Sequence, residues 1–189
     1  MKTKILVLLL FLALAFSAPV VAQGFQPPAE GKAVVYFTRV SGYGGGSSFE
    51  YFHNDRYIGV FKKKNYMRYE LDPGEHLLWI SSEKKEFLTA DLREGGSYIV
   101  IIDIIMGFAK ARVGATPITV DDTEKFERAR DLIMSKAPVV TPDEKIEKMN
   151  EKLADFIAEK LQQYEEDWKH EHNFKHISPE MAIPPEAME

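Results

Sequence analysis

The chain has 189 residues, 45% hydrophobic and 28% charged, with 12 Gly, 10 Pro and no Cys. That is the composition of an ordinary globular protein, with room for one domain and its appendages. Without cysteine there is no disulfide framework, thiolate metal site, cysteine nucleophile or cysteine-linked acyl anchor, and a net charge of -5 gives no support for a nucleic-acid partner.

Residues 1–22 read as a secretory signal peptide. Lys2 and Lys4 form a basic start, Ile5 to Phe16 is an unbroken apolar run, and Ser17 to Ala22 is a small-residue exit. The run is well short of the roughly 20 residues that a stable membrane-spanning helix needs. Cleavage is expected after Ala22, which would leave a periplasmic or secreted protein with no stable membrane insertion. Residues 23–31 read as a linker. Beyond it the charge is uneven: residues 23–120 hold 12 basic and 11 acidic side chains, and residues 121–189 hold 10 basic and 18 acidic.

Residues 32–120 predict a mainly β unit, an antiparallel sandwich of about seven strands. Runs rich in Tyr, Phe, Val and Ile alternate with turn-forming clusters such as Asn54-Asp55, Asp72-Pro73-Gly74 and Glu94-Gly95-Gly96. The spacing leaves no room for crossover helices, so neighbouring strands are expected to be antiparallel. Phe49, Tyr51 and His53 alternate with Glu50 and Phe52 as half-buried strands do, whereas Tyr98 to Ile102 is continuously apolar. That run predicts a central strand buried on both faces, with a C-terminal helix over one of them and Asp103 at its exposed end.

Four segments carry a resemblance: Tyr36-Phe37-Thr38-Arg39, Asn54-Asp55-Arg56-Tyr57-Ile58-Gly59, Pro73-Gly74-Glu75-His76 and Glu94-Gly95-Gly96-Ser97-Tyr98. Over residues 32–105 the chain is similar to an uncharacterised bacterial envelope family whose members carry a small PEGA-like β-sandwich. The resemblance implies that fold and an envelope location, and it supplies no activity or catalytic residue. Many relatives are lipoproteins; this chain departs from them in lacking the cysteine.

Residues 121–140 predict a short helix and a connection, with Phe126, Ala129, Ile133 and Met134 at helical spacing and Pro138 as terminator. Residues 141–172 predict a long amphipathic helix. Thr141 reads as its N-cap, Pro142 as its first residue and Glu144 as the partner in a capping box. Its apolar stripe runs through Ile146, Met149, Leu153, Phe156, Ile157, Leu161, Tyr164 and Trp168. The stripe either completes the core or, over 141–168, docks an envelope protein partner. Residues 173–189, with three prolines among Glu and Ala, read as a disordered tail.

Sequence signals for chemistry are weak. The glycine-rich Gly42 to Ser48 lacks the Gly-Lys-Ser/Thr ending of a phosphate loop and reads as a flexible connection able to make contacts. Ser81, Ser82 and Ser97 have no nucleophile elbow, Asp121-Asp122 sits where a helix begins, and Lys62-Lys63-Lys64 reads as an exposed turn. His53 and His76 flank predicted turns without an assignable partner. His170, His172 and His176 form the one metal-like cluster, because His172 and His176 would share a face if the helix continued. No catalytic residue or cofactor is assigned. The expected role is a non-catalytic binding or structural module of the cell envelope; the alternative is a small metal-dependent enzyme or metal-binding protein built on the histidine cluster.

Overall fold

The computed structural model describes residues 23–42, 47–82, 84–106 and 111–189. The expected signal peptide and residues 43–46 of the glycine-rich segment lie outside the described residues. Strand β1 (Ala33–Arg39) is buried at every position, because both of its faces meet apolar layers. It pairs antiparallel with β4 (Asn65–Leu71) and parallel with β7 (Ser97–Met106), and β7 pairs antiparallel with β8 (Ala111–Ile118). The first sheet therefore runs β4-β1-β7-β8. The second comprises β3 (Arg56–Lys62), β2 (Ser48–His53), β5 (Gly74–Ser81), β6 (Lys85–Leu92) and β9 (Lys175–Ile177), in that order. All its neighbours are antiparallel except β6 and β9.

The chain is thus mainly β, with C-terminal helices, but it has nine described strands rather than about seven, and both sheets are mixed rather than antiparallel. The physical reason lies in the connections. The crossover from β1 to β7 is made by strands, most of them in the second sheet, and the crossover from β6 to β9 carries the helices. A parallel pair needs a long return path, not a helix as such. Strand β8 carries a weak strand signal in the sequence because it contains Gly114 and Pro117, and it tolerates the proline as a sheet edge.

The inner faces share one core that includes Val35 and Phe37 of β1, Tyr51 of β2, Ile80 of β5, Val100 of β7 and Ile177 of β9. The outer face of the first sheet is covered by α1 (Thr123–Ser135), whose Phe126, Ala129, Leu132 and Ile133 pack on Val34, Tyr36, Ile99 and Ile101. The run around Ile99 is buried on both sides, as its unbroken apolarity predicts. The cover, however, is the short helix; the long one lies on the other sheet.

That long helix, α2 (Asp143–Gln163), lays its predicted stripe on Phe52, Tyr57, Trp79 and Phe87. The apolar side available to a partner over 141–168 is therefore occupied by the protein's own sheet, and the charged side faces outward. Its start also differs from expectation. Pro142 is the N-cap and no side chain caps the helix, because the Thr141 hydroxyl instead accepts a hydrogen bond from the Val60 amide at 3.2 Å. Asn150 continues this edge protection: its Oδ1 accepts from the Tyr57 amide at 2.8 Å and its Nδ2 donates to the Tyr57 carbonyl at 3.0 Å. The helix thereby satisfies backbone groups of the edge strand β3 that would otherwise seek another strand. Gly59 permits the approach, since a Cβ there would lie 2.9 Å from the Thr141 hydroxyl.

Two flanking segments expected to be loose are packed. In residues 23–31 the Gly24 amide donates to the Ile133 carbonyl at 3.1 Å, and the Tyr36 hydroxyl donates to the Gln26 carbonyl at 3.0 Å. Residues 173–189 are ordered as well. After β9 the Ile183 amide donates to the Ser97 carbonyl at 2.8 Å, and Ile177 and Ile183 are buried in the inner core and the α1 layer respectively. A few well-placed isoleucines outweigh the proline-rich composition. Replacing Ile177 or Ile183 by Ala is expected to cost about 2–5 kcal/mol each, read from urea unfolding; a cost near zero for both would mean that the tail does not pack.

Candidate functional site

Sheet and helix meet over a run of rings. Phe52 and Trp79 stack at 3.8 Å between centroids, Trp79 and Phe87 at 5.5 Å, and Phe87 and Tyr164 at 4.8 Å. Beyond Gln163 the helix passes through a π turn, Tyr164–Trp168, marked by a hydrogen bond from the Lys169 amide to the Tyr164 carbonyl. A final turn, Lys169–Glu171, ends it. The wide turn brings Trp168 to 5.5 Å from Phe87, beside Tyr164. Such turns recur where a helix has been adjusted for a site. The chain then turns back to β9, placing Phe174 5.8 Å from Phe87.

Between the β5–β6 turn and this end of the helix lies a groove of about 410 Å³. Phe87, Trp168 and Phe174 supply ring surface, while Lys84, Lys85 and Lys160 supply charge. Lys85 Nζ lies 5.3 Å from the centre of the Phe156 ring and Lys160 Nζ 5.8 Å from the same centre, so one ring serves two cations. Lys85 also donates to the Ser82 carbonyl at 3.1 Å, and Lys160 to Glu159 at 2.7 Å and Gln163 at 3.2 Å. Burial, then repulsion from Lys160, holds the Lys85 ammonium below the usual lysine range; Glu50 and Glu159 act in the opposite sense.

The metal-like cluster does not assemble. The helix ends at Glu171 and His172 is extended, so His172 and His176 do not share a helical face. His172 stacks on Phe174 at 6.0 Å, and His176 Nδ1 pairs with the Thr89 hydroxyl at 2.9 Å. Among the described residues, no group of three or more His, Asp or Glu side chains is arranged to hold a metal ion.

Two histidines without partners in the sequence do meet. His53 Nε2 lies 2.9 Å from His76 Nδ1, His53 Nδ1 lies 3.0 Å from the Tyr69 hydroxyl, and His76 Nε2 lies 2.8 Å from the Asp72 carbonyl. The register explains the meeting: His53 stands opposite Leu78, so His76 is its diagonal neighbour on the same face. Alternation alone places both residues on the inner face, but only the pairing of β2 with β5 brings them together. A second groove of about 440 Å³ runs past His76, Thr89, His176 and Glu165.

Burial first, then the His76 charge, lowers His53 to about 4 from 6.5. The folded state thus prefers the neutral ring. As pH falls from about 6.5 to about 4, the unfolded chain takes up a proton that the folded chain refuses, and stability is lost across that window. His53→Gln is expected to flatten the fall in melting temperature between pH 6.5 and 4 relative to the parent protein. Parallel profiles would show that His53 does not carry it.

No family model, curated protein or solved structure matches this chain. Among the described residues, no helix is long and apolar enough to cross a membrane.

Proposed function

We propose that this chain is a non-catalytic binding module of the bacterial cell envelope. In this reading signal peptide 1–22 is removed after Ala22, the protein resides in the periplasm or outside the cell, a PEGA-like β-sandwich is the scaffold, and the groove beside the π turn is the ligand site. The observation that carries it is the convergence of Lys85, Lys160 and Trp168 on one groove of about 410 Å³, a volume within the range of small-molecule sites. Ammonium groups and ring faces attract and orient a ligand without requiring a bond to change. An envelope protein bound through 141–168 would meet the charged outer face of α2, since the apolar stripe is already packed on the protein's own sheet.

Two measurements test the proposal. N-terminal sequencing of the protein from a periplasmic or culture-medium fraction is expected to begin at Gln23; an intact Met1 in a cytoplasmic fraction overturns the location. Small-molecule fractions of the envelope, added to the mature chain, are expected to shift the Trp168 indole resonance saturably and to be recovered chemically unchanged. Turnover of the bound molecule, or shifts confined to the far side of the protein, would overturn the binding role assigned to this groove.

A further inference from the structure

The groove is cationic in an acidic chain. The protein carries a net charge of -5 and its helical part is richer still in acid, yet among the groove's described lining residues none is acidic and three are lysines. Lys85 and Lys160 come from β6 and α2, which the fold brings together over the Phe156 ring. Two ammonium groups sharing one partly buried ring repel each other. Glu159 forms an ion pair with Lys160 from a side chain 57% exposed, whereas Glu50 and Glu159 offset the Lys85 charge only through space and leave it below the usual lysine range. The cost falls when a second anion sits between the two cations, where charge-assisted hydrogen bonds are stronger than at an open surface. Beside that point the half-buried faces of Trp168 and Phe174 flank the buried Phe87, a surface suited to the face of one ring.

Resting on the binding role proposed above, we infer that the ligand is a small organic acid whose anionic group bridges Lys85 and Lys160 and whose ring presents one face to Trp168 and Phe174. A volume of about 410 Å³ admits one ring or two fused rings with an acidic substituent. Two sources share this chemistry, an aromatic acid and a sugar acid, since both ring types stack on aromatic side chains.

The test uses the full mature chain with three probes: 2-naphthoate, glucuronate and the neutral 2-naphthamide. Binding is read by calorimetry and by the Trp168 indole resonance. At least one acid is expected to bind, with an affinity that weakens as salt is raised, and the tighter of the two acids identifies the source. The double variant K85Q/K160Q is expected to lose about tenfold or more in affinity and its salt dependence with it, while its melting temperature holds or rises because like charges have been removed. If the variant does not fold, the salt dependence of the parent protein decides alone. Equal binding of 2-naphthamide at Trp168, unaffected by salt or by the two substitutions, overturns the anion assignment and leaves the groove as a binding site. An unmoved Trp168 with all three probes overturns the ligand class, whereas the envelope fractions of the preceding section test the groove itself.

Discussion

The second sheet is apolar on both faces, and the rest of the architecture follows from that constraint. Its inner residues, among them Tyr51, Leu78 and Ile80, meet the first sheet. Its outer residues, Phe52, Tyr57, Trp79 and Phe87, present large rings on the other side. Each such side chain gains about 1.5–3 kcal/mol when fully removed from water, so an uncovered outer face would forfeit much of a small domain's stability. The long helix is therefore part of the core. Its stripe, the hydrogen bonds that join Asn150 and Thr141 with the backbone of β3, the π turn that brings Trp168 beside Phe87, and the strand β9 that follows are successive solutions to covering one sheet.

Much of this was legible in the sequence where the signal is local. Alternation through Phe49, Tyr51 and His53, the continuous apolarity of Tyr98 to Ile102, the turns at Asn54 and Gly95 and the helical stripe from Ile146 to Trp168 each depend on neighbours a few residues away. What stayed hidden depends on pairing across the fold. The Thr141 hydroxyl was available to cap its own helix, and the competing Val60 amide is 81 residues distant. His53 and His76 become neighbours only through the register of β2 and β5. Tail residues 173–189 look disordered by composition, which averages over the two isoleucines that hold them down.

The candidate groove has the same origin. Lys84 and Lys85 leave a β-turn, Lys160 belongs to a helix whose other charges face water, and Phe174 lies in a return segment. None of these is unusual alone; their chemistry appears when the helix end is laid over β6. The π turn is likewise invisible to residue periodicity, because it shifts the phase of the helix only in its closing turns. The alternation of charge along α2 shows a solvated helix face and gives no hint that Lys160 turns instead toward a ring and a second lysine.

The parallel pairing of β1 with β7 sets the order in which the chain can reach its native state. Thr38 stands opposite Ile101, and the nearest strand in sequence, β2, belongs to the other sheet. The second sheet can form hairpins as soon as β2, β3, β5 and β6 are available, each closing a short loop. Strand β1, buried along its whole length, must wait for β4 on one side and β7 on the other, and closing those long loops costs entropy before any contact repays it. The completed double layer is thus a late event, and until β7 arrives an apolar strand with an open edge is exposed to pairing with other chains.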